Sequence, residues 1–522
     1  MLSLIQALGH IVSRYQSEFN VRIMKRNIWL FFSMVFLFGA CSDFLNMPPK
    51  NTKVVYTISD VRDAMSTLLF ATTSSSYHSG GTISNSVRFN DEYVQFPFTR
   101  YCNVASILYT NDLDMVNFLF DDFANPARGG RGFIKEYTEG KNWEGYTFPA
   151  LLWKNVFISV GYINMVLKDL ENVPDYNKTD AERISGEARV MRAYYLLRLN
   201  QFFAPYDKNE YGIPFNFDAD VVQGGKRWKQ TDLYAKLIGE IMEVLEYETV
   251  PEEAWNLFFN KRVMYGILAQ TYQYKAGSCA AEADDWSKAE FYAKAARNGE
   301  RVENTVDEQF ELTTVPLARG TTKPHKFALL RFSLYASAMN DYAPWGRPSQ
   351  LLVQQPSEEL YGLYDEHDIR REVYFQEIDG KIYVTRWQYT NNHNANDVHV
   401  LFRFSDLLLI EAEALARQEK DGALELLNEF KRSKIPGYTG YSGNDVIGEI
   451  LVERRKEFAY EEMMNWLDMK RTGVTLTRRV KDEATNEVVT YTLDSDDYRY
   501  AFPLPADYEL MYNNVPQNPG WK

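Results

Sequence analysis

A chain of 522 residues carrying 57 Lys and Arg against 71 Asp and Glu has a net charge of −14. That length supports a large core and exceeds one small domain. The acidic balance argues against nucleic acid, whose phosphates demand a basic face, and against attachment to anionic lipid by charge alone.

The N-terminal stretch has the pattern of an export signal. Lys25 and Arg26 precede a largely apolar run from Ile28 to Phe38, followed by Gly39, Ala40 and Cys41. Two cations, a short apolar segment and small residues before a cleavage point fit a secretory signal, and the run falls short of the ~20 residues that span a bilayer. A cysteine directly after the small residues resembles a bacterial lipoprotein signal, in which cleavage leaves Cys41 as a lipidated N-terminus; the competing reading is an ordinary signal with an incidental cysteine. Met24 directly precedes the cations and is the expected start, so 1–40 is an upstream extension plus signal and 41–60, with Pro48 and Pro49, a lipidated tether. The chain has three cysteines, too few for a disulfide framework. With Cys41 assigned to lipid, Cys102 and Cys279 either form one bridge or remain buried thiols.

A helix is predicted over 58–70, capped by Ser59 or Asp60. Residues 71–148, rich in Ser, Thr, Asn and Gly, read as long loops. Helices follow over 151–171, 184–203, 232–245, 262–274 and 286–297. In the second, Ile184, Ala188, Met191, Tyr195, Leu199 and Phe202 recur at spacings of three and four and form one apolar stripe. In the fifth, Ala289, Ala293 and Ala296 allow close helix approach, as in tetratricopeptide hairpins. Segment 313–350 reads as aromatic-rich loop and 373–400 as one or two strands. Helices return over 406–418 (capped by Ser405 or Asp406), 422–433 and 445–471, before an irregular end rich in Tyr and Pro. The expected fold is mainly α, tetratricopeptide-like helical hairpins with long loops and minor β, with 61–310 and 311–522 as two parts of one globular unit.

No catalytic constellation stands out. The ERRKEF string at 453–458 reads as helix, with Glu453 facing Lys456 in a pairing worth about 0.2–0.5 kcal/mol and Phe458, Trp466 and Leu467 burying the other side. Glu411 and Glu413, two positions apart on a helix, point to different faces. The six histidines, His393 and His399 among them, show no zinc-protease spacing, and neither a phosphate-cradling glycine loop nor a serine elbow is present. Asp494, Asp496 and Asp497 lack the glycine and distal Glu of a calcium loop. No metal and no cofactor are expected. Asp91, Glu92, Asp121 and Asp122 lie in the loop region, where they could touch sugar hydroxyls, but read more readily as caps or solvent-facing groups.

Aromatic loops remain. Among 35 Tyr, 32 Phe and 10 Trp, most pack the core, but a Trp or Tyr fixed on a loop can offer a face to the C–H side of a sugar ring, a gain of order 1 kcal/mol per contact. Trp345 beside Tyr342 in NDYAPWGRPSQ leads, with Asn340, Asp341 and Arg347 placed to take hydroxyls. Trp143 and Tyr146 in GKNWEGYTF, Arg100 with Tyr101, and Tyr77 beside His78 follow. The competing reading is that these rings plug the loops onto the helices.

Several strings in order carry a family resemblance. The opening CSDFLNMPP, the helix LLWKNVFISVGYINMVLKDL, then GEARVMRAYYLLRLNQFF before YGIPF, KRVMYGILAQTYQYKAG before DDWSKAEFYAKAARNG, RFSDLLLIEAEALA, ERRKEFAYEEMMNWLDMKRTG and FPLPADYEL with NNVPQNPGW resemble the SusD/RagB family, the surface glycan-binding lipoproteins of Bacteroidetes. The resemblance spans nearly the whole chain after Cys41. It departs where Asn209 and Glu210 precede Tyr211 and in the loop GYTGYSGND. It implies a SusD-like scaffold of four helical hairpins whose loops build a shallow binding face. It further implies a lipid-anchored place on the outer membrane, oligosaccharide as ligand, a SusC-like TonB-dependent transporter as partner, and no catalysis. The alternatives are a peptide ligand on the same architecture, or an exported glycoside hydrolase on a helical toroid, which needs two carboxylates roughly 5–9 Å apart across a cleft.

Overall fold

The computed structural model describes residues 57–74, 88–89, 92–94, 96–98, 102, 109–117, 142–207, 209–217, 226–251, 256–313, 315, 325–335, 355–386, 396–461, 463–482 and 485–522. The first helix, α1 (Ile58–Ser74), starts with a reciprocal cap. The Thr57 hydroxyl accepts the Asp60 N–H (3.2 Å) while the Asp60 carboxylate accepts the Thr57 N–H (3.1 Å). Thr57 is therefore the cap, and Asp60 serves as its partner rather than as the cap itself. A minimal ribbon, β1 (Arg88–Phe89) with β2 (Glu92–Tyr93), follows.

The N-terminal helices are α2 (Thr147–Asn172), α3 (Lys178–Phe203), α4 (Gln230–Leu245), α5 (Lys261–Lys275) and α6 (Asp285–Arg297), with a short antiparallel pair, β3 (Tyr211–Pro214) and β4 (Arg227–Lys229), between α3 and α4. Chain neighbours pack in pairs: α2 on α3, α3 on α4, α5 on α6. The stripe predicted on α3 is buried, and the helix begins six residues before it because the Asn177 side chain accepts the Asp180 N–H at 2.9 Å. Two buried polar residues of α3 tie its neighbours down. Arg192 donates to both oxygens of Glu240 on α4 (3.0 and 2.8 Å) and to Asn164 on α2 (2.8 Å). Glu187 accepts the backbone N–H groups of Leu257, Phe258 and Phe259 at 3.0, 2.9 and 2.6 Å. Gly186 sits where a Cβ would meet the Phe259 ring at 2.5 Å, so only glycine admits this approach.

In the second half, α7 (Val306–Thr313) leads into β5 (Ala328–Tyr335), which pairs antiparallel with β8 (Asn396–Arg403) in register Leu330↔Leu401. Between them lie α8 (Glu358–Tyr361), α9 (Ile369–Tyr374) and the hairpin β6 (Phe375–Ile378) with β7 (Lys381–Val384). Then come α10 (Phe404–Arg417), α11 (Ala423–Lys434), α12 (Val446–Glu457) and α13 (Met464–Thr472), and a second hairpin, β9 (Leu476–Lys481) with β10 (Val488–Leu493). The helix-pair architecture with small ribbons is the one expected. Several details differ. Segment 313–350, expected as loop, holds the strand β5, and 373–400, expected as one or two strands, holds β6, β7 and the start of β8. The helix predicted over 445–471 is two, separated by a turn in which Tyr460 and Met463 take positive φ of 65° and 59°. Ser405 and Asp406 do not cap α10: Ser405 donates to Glu457 (2.9 Å), and Asp406 accepts from Gln270 (2.7 Å) and Arg454 (2.8 Å). The end of the chain is less irregular than expected, since it holds the β9–β10 hairpin. Cys102 is buried and Cys279 exposed, and no disulfide joins the two.

The ERRKEF string departs most from expectation. Glu453, Arg454, Lys456 and Glu457 are all buried. Arg370 on α9, fully buried, donates to Asp368 (2.7 Å), Glu453 (2.6 Å) and Glu457 (3.4 Å). Lys456 lies 2.6 Å from Glu453, while Lys434 pairs with Glu303 and lies 3.7 Å from Glu457. The expected one-turn surface pair is thus one strand of an interior web. Burial works against charge on Glu413 and Glu453, yet the facing cations hold both carboxyls down to about 2: Arg471, Arg454 and Arg417 for the first, Lys456, Arg370 and Lys431 for the second.

A carboxyl whose folded value lies below its free value of about 4.3 contributes stability that is complete above that value and lost as pH falls toward 2. The melting temperature is therefore expected to drop steeply between about pH 4.3 and pH 2, and Glu453→Gln to flatten that acid limb from a lower starting stability; calorimetry across pH reads both. Arg370→Met removes the guanidinium shared by three buried carboxylates and is expected to cost about 3–5 kcal/mol in urea unfolding. A loss within experimental error would show that the web contributes no net stability.

Candidate functional site

Of the loop residues expected to meet ligand, Trp345, Tyr342, Asn340, Asp341, Arg347, Tyr101, Arg100, Tyr77 and His78 lie outside the described residues, as does Cys41. Trp143 and Tyr146 lie within them and have opposite fates.

Trp143 is 0% exposed. Its backbone takes a positive φ of 63°, its indole N–H donates to the Tyr109 carbonyl at 3.0 Å, and the Arg478 guanidinium lies 4.4 Å from its ring centroid. Tyr109 in turn meets Trp466 (5.3 Å between centroids) and Phe502 (5.0 Å). Trp143 therefore fastens its loop to an aromatic core and has no face to offer, which corrects the expectation of a ligand contact. A Trp among Gly, Asn and Glu looks like a loop tip in sequence, and nothing local reveals that Arg478, far along the chain, covers it.

Tyr146 is 46% exposed and stands edge-on to Trp521, with centroids 5.1 Å apart. Tyr498, 41% exposed, also stands edge-on to Trp521, at 5.3 Å. Trp521 itself is buried and is held by its indole N–H, which donates to the Ala501 carbonyl at 2.7 Å. Tyr146 and Tyr498 are thus two exposed rings that share a buried third, positioned by the start of α2 and by the segment after β10. Trp521 and Tyr498 were not singled out from the sequence; the available signal was the Pro- and Gly-flanked Trp in NPGW.

The polar clusters are already engaged. Among the described residues, Glu282, Asp284 and Asp285 bring carboxylate oxygens close enough for a metal. Lys275 donates to Glu282 and Asp285 at 2.8 Å, and Lys288 meets Asp284 at 2.9 Å, so two ammonium groups hold that position. Glu411 pairs with Arg297 and Glu413 with Arg471. Asp497 accepts from Arg499 at 2.8 Å and caps the single 3₁₀ turn Tyr498–Tyr500. His399 is buried and stacks on Phe332 with centroids 5.3 Å apart. Shielded, paired carboxylates of this kind suit packing rather than proton transfer.

Residues 334–521 match the model of the SusD family, and residues 122–273 match a second, SusD-like model described as starch-binding and associating with the outer membrane. The chain belongs to the SusD/RagB family. No curated protein matches it. Solved structures of similar fold include a SusD superfamily protein from Bacteroides thetaiotaomicron (18% identity, 89% of this chain and 100% of that one, TM-score 0.65). A SusD-like carbohydrate binding protein from Bacteroides vulgatus is also similar (17% identity, 88% and 97% coverage, TM-score 0.61). So is surface glycan-binding protein A from Bacteroides thetaiotaomicron, solved in complex with laminarihexaose (16% identity, 88% and 99% coverage, TM-score 0.63). At such identities these likenesses establish the SusD fold.

Trp143→Ala in this SusD-family protein is expected to cost about 3–5 kcal/mol of stability, while the exposed Tyr146→Ala stays within about 0.5 kcal/mol. Denaturant titration of the two variants separates the buried ring from the surface one, and equal losses would contradict the assignment.

Proposed function

We propose that this SusD-family protein is a non-catalytic, lipid-anchored cell-surface protein that binds oligosaccharide and passes it to a SusC-like TonB-dependent transporter. The observation that carries the reading is the match of 122–273 to a model described as starch-binding and outer-membrane-associated. The glycan complex of a protein with the same fold supports it. So does the signal ending at Cys41, and so do the exposed rings of Tyr146 and Tyr498.

The mechanism is preformed binding. The helical pairs hold the loops, the loop rings offer apolar faces to sugar C–H groups, and neighbouring amides and charges take hydroxyls. Each contact is weak and their sum sets affinity. A carrier must also release its cargo, so micromolar binding, about −8 kcal/mol, suits the role. Trp345, with Tyr342, Asn340 and Arg347, is the proposed centre, and Tyr77, Arg100 and Tyr101 stay with it as candidates. Cys41 is the proposed lipid attachment.

Calorimetric titration against a panel of polysaccharides tests this. At least one neutral glycan is expected to bind without release of reducing ends, and Trp345→Ala to weaken it about tenfold, or 1.4 kcal/mol. Binding left intact by the substitution removes Trp345 from the site, and release of reducing sugar by pure protein replaces the reading with a hydrolase.

A further inference from the structure

Tyr498 also lines a cleft. It lies between the segment that follows α3, the segment that follows β10, and the turn at Asn518 and Pro519. Its volume of about 140 Å³ is room for about five waters, or one six-membered sugar ring. Tyr206, Tyr498 and Tyr500 form walls, Pro519 part of the rim, and Asp207 and Asp496 stand exposed at its edge.

The chemistry of the lining is specific. The Tyr206 hydroxyl donates to the Tyr274 carbonyl (2.9 Å) and that of Tyr500 to the Val474 carbonyl (2.5 Å). Burial raises the pKa of both hydroxyls, so they stay protonated and keep donating to backbone. These two residues therefore present ring surface to the cleft, not polar tips. At the floor, the Lys470 ammonium donates to the carbonyls of Gln201 (2.7 Å), Phe202 (3.4 Å) and Ala204 (2.6 Å) at the end of α3, and so is held away from a ligand. The Asn518 amide donates to the Phe203 and Phe502 carbonyls (2.6 and 2.7 Å). What remains for an occupant is aromatic and apolar wall with the exposed Asp207 carboxylate beside it. That combination calls for a flat-faced molecule rich in donors and without negative charge.

We propose that this cleft holds one pyranose ring of a neutral or amine-bearing glycan, gripped by Tyr498 with Asp207, as a subsite that works without Trp345. The assignment rests on the carbohydrate-binding reading above.

The protein carries its own reporter. Cys279 is exposed, its N–H donates to the Tyr206 carbonyl (3.0 Å), and its thiol lies 3.3 Å from the Asn209 carbonyl, both residues of the cleft wall. Maleimide labelling of Cys279 in the full chain, followed by peptide mass spectrometry, reads occupancy of the cleft. D-glucose and D-glucosamine are the probes, with D-glucuronate as the anionic control. Glucose and glucosamine are expected to slow labelling about twofold once half the clefts are filled, while glucuronate leaves it unchanged. Tyr498→Ala, or the milder Asp207→Asn, removes the protection, and Trp345→Ala keeps it. Absence of protection by either neutral or amine sugar overturns the proposal. So does equal protection by glucuronate, or protection that survives Tyr498→Ala and disappears with Trp345→Ala. Polysaccharide titration of the same preparation separates the two readings. Oligosaccharide binding without Cys279 protection removes the cleft alone, and failure of every polysaccharide to bind removes the wider function.

Discussion

The second half of the molecule is organised around charge removed from water. Glu457, at the end of α12, accepts from Ser405 at 2.9 Å and lies 3.4 Å from Arg370, 3.4 Å from Arg403 and 3.7 Å from Lys434. Those partners belong to α10, α9, β8 and α11, so one carboxylate fixes the positions of four neighbouring elements. Each ion taken from water costs several kcal/mol unless its geometry is complete. Removing Glu457 would leave Arg370, Arg403 and Lys434 short of one shared carboxylate in a dry interior, so the web ties these four elements to α12.

The first half solves the same problem with fewer ions. Arg192 joins α2, α3 and α4 through one bidentate pair and one amide. Glu187 binds three backbone N–H groups that belong to no helix, which removes the penalty of burying unpaired backbone in the approach to α5. The N-terminal helices are thus tied to one another, and to the segment before α5, by buried hydrogen-bonded side chains.

Helices were legible wherever apolar residues kept a period near 3.6, and α3 is the clearest case. Boundaries and breaks were not, because polarity ceased to mean exposure. Arg478 is buried between Leu476 and Val480 in β9, so the alternation of that strand was hidden and the hairpin read as irregular chain. The break after α12 was invisible because Phe458 and Tyr460 in the turn are as buried as helix residues. The same reversal misplaced Trp143. Tyr146 was readable as a surface ring, whereas its neighbours Trp521 and Tyr498 come from over 350 positions away in sequence and meet it only in the fold.

The end of α3 carries a last consequence. Its final carbonyls find their partners far downstream: Gln201 at Lys470, Phe202 at the Phe502 N–H, and Phe203 at Asn518, 315 positions later. During synthesis, which proceeds from the N-terminus, the Phe203 carbonyl is without its Asn518 partner until nearly the whole polypeptide has emerged, whereas Gln201 meets the Tyr274 hydroxyl (2.9 Å) much earlier. The early helices are therefore completed by late segments, which couples the two halves of the chain.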